Sequence, residues 1–482
     1  MARLVPARPA ALPHDLRHVR KLADQALSRA AGAPLIGGNR VRILKDAAEN
    51  YPAWTRAIID ARRSIHIEMY IIRRDPVGRR FIELLATKAR AGVKVRVIYD
   101  WFGTGFAPLF GLFRPLVEAG GEVHAFNPPS LTPIIGWVRR DHRKLIAVDG
   151  RIAFVSGLCI AQEWEGRPER RQDPWRDTGV EITGPAVASV EAAFAESWRL
   201  VGGTMDPPDV PEPADTQEQG GVNLRVVATE PFVASVFQLD LLVASMARRT
   251  LWITDAYFLG TSPYLEALRR AAGDGVDVRL LLPQGSDVGW TVPVSRTLYR
   301  TLLEAGVRIF EWNGTMIHAK TAVADGRWAR IGSTNLNITS WIGNWELDVA
   351  IEDPGVAGAL ATQFERDLAQ STEIVLRTWR RPVPPPAPPR VRARRSARRV
   401  MRTVTGVGRS LGAVVTGNRP LEDYEVPPLI GAGAILTGLA ALAFWHPLVV
   451  AAPLAVIAGW TGLGFIVEAI ALWSGRRRKP AP

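Results

Sequence analysis

The pattern of apolar and polar positions changes period repeatedly after residue 38. Val41–Leu44 reads as a strand and Tyr51–Ala61 as a helix, while Ser64–Ile72 alternates again with the two-residue period of a strand. Gly78–Ala91 has the helical period, Gly92 stops it, and Val93–Tyr99 alternates. Strand, helix and strand in that order predict parallel pairing in an α/β domain. The later chain replays the series. Val236–Ala247 reads as a helix, Thr250–Tyr257 as a strand, Tyr264–Ala272 as a helix, Val276–Leu282 as a strand and Val294–Ala305 as a helix. SIHIEMYII aligns with TLWITDAYFL, GVKVRVIYD with GVDVRLLLP, and EAGGEVHAFN with EAGVRIFEWN. A repeat of about 180 residues predicts a duplicated domain. The halves are expected at 38–203 and 222–379, joined by a Pro- and acid-rich linker at 204–221.

The flanks differ from this body. Residues 1–37 form a basic leader in which His14–Ala31 places Leu16, Val19, Leu22, Ala23 and Leu27 near one helical face. That pattern fits a solvated leader helix or one lying on a membrane surface. Residues 380–425 are a Pro- and Arg-rich linker. No charged residue occurs from Val426 to Val467. At about 20 residues per span, residues 426–475 predict two transmembrane helices turning at His446-Pro447, and a soluble hydrophobic hairpin is the plainer alternative. A basic tail, 476–482, follows. Basic residues at both outer ends predict a multi-pass protein of the cell (inner) membrane with its catalytic domains facing the cytoplasm. Glu468 is expected at the interface.

With 482 residues the chain exceeds one ordinary core, and 47% hydrophobic residues exclude a disordered chain. The net charge of +13 calls for an anionic partner: nucleic acid, a membrane surface or a phosphate-bearing substrate. A single cysteine, Cys159, excludes an intrachain disulfide, and the N-terminus shows no signal-peptide pattern.

Chemistry concentrates in two stretches. His142-x-Lys144, Asp149 and Ser156-Gly157-Leu158-Cys159 recur as His318-x-Lys320, Asp325 and Gly332-Ser333-Thr334-Asn335, 176 residues on (142 to 318). On a strand, the histidine and lysine of each pair point the same way, so two halves packed about a pseudo-twofold axis can bring both pairs into one pocket. Two lysines suit a phosphodiester whose charge grows in the transition state. One histidine can attack phosphorus while the other protonates the leaving alkoxide, and an alcohol or water then discharges the phosphohistidine. Ser333 and Asn335, with Gly157 in the first copy, are expected beside the phosphate. Asp149 and Asp325 complete each motif, and their opposite strand parity predicts that they brace it by ion pairing. No cluster at metal-ligand spacing accompanies the motifs, so neither metal nor cofactor is required.

These residues resemble the phospholipase D superfamily, marked by HxKx4Dx6G(G/S)xN, over roughly Asn39 to Ala369. Within it, GVKVRVIYD, WRDTGVEITGPAV and TDAYFLGTSPYLEALRRAAGDGVDVRLLLP look like bacterial cardiolipin synthases. The resemblance implies two pseudo-symmetric α/β domains, each a mixed β-sheet flanked by helices, beside the C-terminal membrane hairpin. It implies His142 as nucleophile, His318 as general acid, Lys144 and Lys320 on phosphate, and Glu346 and Asp177 as carboxylates that orient the histidines. The implied reaction is phosphatidyl transfer between two phosphatidylglycerols, giving cardiolipin and glycerol. Hydrolysis to phosphatidic acid, nuclease action and an inactive membrane-tethered scaffold are the alternatives. An anionic phospholipid and the membrane are the expected partners, ahead of nucleic acid, and oligomeric state is left open. The chain departs from the family at Cys159, where asparagine is usual, at Ser156, and at Gly179, where histidine is common.

Overall fold

The computed structural model describes residues 14–128, 139–205 and 217–376. The expected hairpin at 426–475, the arginine-rich segment before it and much of the linker lie outside the described residues. Among the described residues no helix is long and apolar enough to cross a membrane.

The first half contributes β1 (Ile36–Lys45), β2 (Ser64–Met69), β3 (Lys94–Asp100), β4 (Glu122–Phe126), β5 (Lys144–Val148), β6 (Ile152–Ser156) and β7 (Thr178–Thr183). The second contributes β8 (Val222–Thr229), β9 (Thr250–Thr254), β10 (Asp277–Pro283), β11 (Arg308–Trp312), β12 (Thr321–Ala324), β13 (Trp328–Gly332), β14 (Glu346–Glu352) and β15 (Ser371–Ile374). The duplicated pattern predicts one sheet per half. Instead, all the strands join one 15-stranded sheet, ordered β15-β11-β10-β9-β12-β13-β14-β8-β1-β7-β6-β5-β2-β3-β4. Outward from its centre, β1-β7-β6-β5-β2-β3-β4 mirrors β8-β14-β13-β12-β9-β10-β11. The halves meet where β1 and β8 pair antiparallel, with Ile36 opposite Leu224 and Asn39 opposite Val222. Each would otherwise be an open edge, so their pairing satisfies both rows of backbone groups. Among the named strands, parallel pairing is confined to β2-β3-β4 and β9-β10-β11, making the sheet mixed.

The helix Asp46–Asp60 starts five residues before the sequence pattern indicates and lies with Pro76–Arg90 over the outer face of the first half. There Trp54, Ile58, Phe81 and Leu85 pack against Ile65, Ile67 and Val95. Pro76 and the Asp75 side chain, which accepts from Gly78 N at 2.9 Å, fix the start of the second helix. A central core unites the halves: Val155 and Val180 share one cluster with Ile331, Leu347 and Val349. Burial between the half-sheets therefore holds the two motifs face to face. The leader helix His14–Ala31 is not merely solvated. Leu27 and Ala31 pack with Leu239 and Val243 of the second half, and Arg225 Nη2 donates to Asp24 O at 3.2 Å.

Candidate active site

Both His-x-Lys pairs sit where the halves meet, but not as strand residues alone. β5 begins only at Lys144 and β12 only at Thr321, so both histidines precede their strands. Each is aligned by the opposite half. Asp141 forms a parallel bridge with Trp345, and Arg176 forms one with Ile317. His142 N donates to Trp345 O at 2.9 Å, and His318 N donates to Arg176 O at 2.7 Å. Two crossed backbone bridges thus position the two imidazoles.

The side chains cross in the same way. His142 Nδ1 lies 2.9 Å from Glu346 Oε2, and His318 Nδ1 lies 2.8 Å from Asp177 Oδ2. Each histidine therefore rests on a carboxylate of the other half, which fixes the ring and leaves Nε2 for chemistry. Asp177 also accepts from Trp164 Nε1 at 2.8 Å, and Glu346 from Ser333 Oγ at 2.6 Å. Burial raises both carboxyls, but their histidine partners outweigh it and hold each below the usual carboxylate range. Arg176 anchors the Asp177 side through Asp367 Oδ2 at 2.7 Å.

Lys144 and Lys320 are almost wholly buried. Lys144 Nζ donates to His142 O at 2.6 Å, and Lys320 Nζ donates to His318 O. Lys144 Nζ stands 5.0 Å from the centre of the Tyr70 ring and Lys320 Nζ 5.6 Å from that of Tyr257. The same tyrosines meet His142 and His318 edge-on, at 4.9 and 5.8 Å. Sequence reasoning did not single them out, although the aligned segments SIHIEMYII and TLWITDAYFL both carry them. Their offset differs by one residue from the strand register, which hid the match.

A cavity of about 460 Å³ opens over this centre, lined by both histidines, Lys144, both tyrosines, Trp164, Trp175 and, on its polar side, Asn335, Asn337 and Ser340. Asn335 Oδ1 is buried without a hydrogen-bond partner. Cys159 also lines the cavity, and burial pushes its thiol up, away from nucleophilic character. Ser333 was expected on the phosphate, but its hydroxyl is engaged elsewhere: it donates to Glu346 and accepts from Leu347 N at 2.9 Å. Gly157 is likewise a spacer. A Cβ there would stand 2.2 Å from Asp177 Oδ1, so glycine lets the shorter carboxylate reach His318, while Ser333 backs the longer Glu346. The departures at Ser156 and Gly179 are paired in register. Ser156 faces Gly179 across β6 and β7, where the second half pairs Gly332 with Asp348. A Cβ at Gly332 would lie 2.5 Å from Asp348, and one at Gly179 would lie 2.1 Å from Asn50 Oδ1. The small partner has changed strands, so the space is conserved although the residues are not.

Asp149 and Asp325 lie outside the cavity lining, at the far ends of β5 and β12. The expected ion-pair brace is in fact a backbone brace. Asp149 accepts from the N–H groups of Arg62, Arg63 and Ser64, and Asp325 from those of Arg248, Arg249 and Thr250. Partial burial raises both carboxyls, but these donors hold them below the ordinary value of 3.8. Both residues also have positive φ, 55° and 52°, which Ala tolerates poorly and Asn well. Asp325→Ala should therefore cost about 2 kcal/mol of stability while the rate per folded molecule holds within about twofold. Asp325→Asn should recover part of the loss. Thermal melts with active-site titration test this, and a selective fall in rate with an unchanged melt would contradict it. Because the folded pKa is depressed, this contribution exists above about pH 4 and fades as pH drops through the folded value.

Burial also sets the cation chemistry. It lowers His142 and takes His318 down to about 4, with Lys320 adding to the effect on His318. It brings Lys320 down to about 8, against the pull of Asp177. Asp255, which accepts from Leu336 N at 2.9 Å, is raised by burial to about 7. Above about pH 8, Lys320 should lose its proton and kcat/KM should fall. Lys320→Arg stays charged and should move that alkaline limb upward by more than about one pH unit even where its absolute rate is lower. A limb that stays in place would assign the titration elsewhere.

A family profile described as cardiolipin synthase, PLD-like domain, matches residues 243–368. The chain is 34% identical over 360 residues to a protein named cardiolipin synthase A from Pseudomonas aeruginosa, covering 72% of this chain and 71% of that one. It is 32% identical over 370 residues to a cardiolipin synthase from a Geobacillus species, covering 76% and 73%. Among solved structures, phosphatidylserine synthase of Haemophilus influenzae superposes with a TM-score of 0.59 at 13% identity, covering 82% of this chain and 99% of that one. That likeness is one of fold.

Proposed function

The chain belongs to the cardiolipin synthase family of phospholipase D-like proteins, and from that membership we propose that it joins two phosphatidylglycerols into cardiolipin with release of glycerol. The observation that carries the reading is the crossed pair of histidines, each backed by the other half's carboxylate in one cavity. With Nδ1 held, His142 Nε2 attacks the donor phosphorus. The bond from phosphorus to the headgroup oxygen breaks, and His318 gives its proton to the leaving glycerol. The terminal hydroxyl of a second phosphatidylglycerol then loses its proton to His318 and attacks the phosphohistidine. The new P–O bond forms as the P–N bond breaks. Lys144 and Lys320 offset the charge that gathers on phosphorus oxygens in both steps. Burial disfavours the imidazolium of His318, and the negative charge of a phosphodiester beside it stabilises the proton that the acid needs.

Work at a bilayer surface fits the rim of the cavity. Trp290 and Ile338 line it and are more than half exposed. Nearby Phe232, at φ 70°, is held in a strained conformation with its ring outward and Arg139 stacked upon it at 4.9 Å. Exposed aromatic and basic groups together suit the headgroup region of an anionic membrane. The uncharged stretch 426–467 is long enough for a hairpin anchor in a membrane.

Incubation of the full chain with vesicles of labelled phosphatidylglycerol tests the reading. Cardiolipin and glycerol in equal amounts are expected. Phosphatidic acid alone would make the protein a hydrolase, and nicked plasmid DNA with no lipid product would overturn the lipid assignment.

A further inference from the structure

Cardiolipin synthesis places two phosphates in one site, and the motif lysines account for one. Arg140 also lines the cavity, two residues before His142. Its backbone is pinned, since Trp345 N donates to Arg140 O at 2.9 Å. Its guanidinium stacks over Phe102, 5.4 Å from the ring centre, and its side chain is 12% exposed. It forms an ion pair with Asp100, Nη1 to Oδ1 at 3.5 Å, too long for a hydrogen bond. Asp100 is already occupied. Oδ1 accepts from Phe102 N and Gly103 N at 2.9 and 3.0 Å, and Oδ2 accepts from Asp141 N at 3.0 Å. Arg140 Nη1 is therefore buried without a hydrogen-bond acceptor. A buried guanidinium donor left open beside a ligand cavity calls for an acceptor from the ligand.

We propose that Arg140 binds the phosphate of the acceptor phosphatidylglycerol, so that its free hydroxyl meets the phosphohistidine. This rests on the phosphatidyltransferase reading and adds the subsite that selects the acceptor. Arg140, His142 and Lys144 all line the cavity while Asp141 and Arg143 do not, so alternate residues face one way, and at the rise of an extended chain two residues span about 6.7 Å. A glycerol bridge from phosphorus to phosphorus spans roughly 7 Å when extended, at ~1.5 Å per bond. One step along the segment thus matches the separation of the two phosphates in the product. The planar guanidinium suits a phosphate diester, and its charge offsets the repulsion between acceptor phosphate and covalent intermediate. Water and simple alcohols carry no phosphate and gain nothing from Arg140. The residue therefore biases the intermediate toward lipid and away from hydrolysis.

Partitioning of the intermediate tests this. The full-length protein in phosphatidylglycerol vesicles is supplied with ethanol, and cardiolipin and phosphatidylethanol formed from the same labelled pool are counted. Both products discharge one intermediate, so their ratio reports the acceptor step alone. Arg140→Gln should lower the cardiolipin-to-phosphatidylethanol ratio by roughly 10- to 100-fold, and Arg140→Lys by less, because a point charge replaces the fork. An unchanged ratio in Arg140→Gln, whatever happens to total turnover, overturns the assignment. A wild-type protein that makes phosphatidylethanol but no cardiolipin instead overturns the function itself, and the acceptor subsite falls with it.

Discussion

His142→Ala and His318→Ala should each reduce phosphatidyl transfer by at least about 10⁴-fold, and the double variant should be little worse than either. The expectation follows from the crossed geometry: both imidazoles line one cavity, and neither half holds its own carboxylate. Were the halves separate sites, each single variant would keep about half the activity and only the double variant would lose it. Initial rates on labelled phosphatidylglycerol with the three variants separate these cases. Thermal melts of each variant control for folding, since alanine keeps the backbone bridges at 141 and 176 but leaves the buried Glu346 or Asp177 carboxylate without its partner.

Glu346→Gln should cost about 10⁴-fold in kcat, and Asp177→Asn a similar amount, by analogy with other carboxylate–imidazole pairs in which an amide stabilises the wrong tautomer. The pH profile carries more information than the rate. Glu346 raises the His142 pKa, so its loss should move a limb of the profile to lower pH through His142 alone. Asp177 acts on His318 in the same sense. If His142 is the nucleophile, Glu346→Gln moves the acid limb, because the attacking ring must be neutral. If His142 is the acid, the same variant moves the descending limb of the kcat profile, which is distinct from the kcat/KM limb assigned to Lys320. A variant that shifted neither limb would show that Glu346 only fills space.

Much of this site was legible in the residues themselves. The doubled His-x-Lys spacing identified both cations and both imidazoles, and the family resemblance pointed to Asp177 and Glu346. Which carboxylate serves which histidine was not legible, because a repeat gives each half the same parts without saying whether they cross. The crossing comes from long-range bridges, Asp141 with Trp345 and Arg176 with Ile317, that no local pattern encodes. The single sheet was hidden for the same reason: β1 and β8 look like two edge strands until they pair. Asp149 and Asp325 were placed away from substrate by strand parity, but their partners are backbone N–H groups, which carry no sequence signal. Ser333 and Gly157 sit correctly in the motif yet serve the carboxylates, since side-chain length at Glu346 and Asp177 decides what fits behind each. Arg140 shared the parity of His142 and Lys144, and only its open hydrogen bond set it apart.

The central claim is that two halves build one catalytic centre that carries the phosphatidyl group on a histidine. Rapid acid-free quenching of the full chain after mixing with phosphatidylglycerol labelled in the phosphatidyl group, followed by mass spectrometry, counts the groups bound per chain. The account predicts at most one per chain, on His142, acid-labile and discharged by added phosphatidylglycerol. Two groups on one chain, one on each histidine, would contradict it.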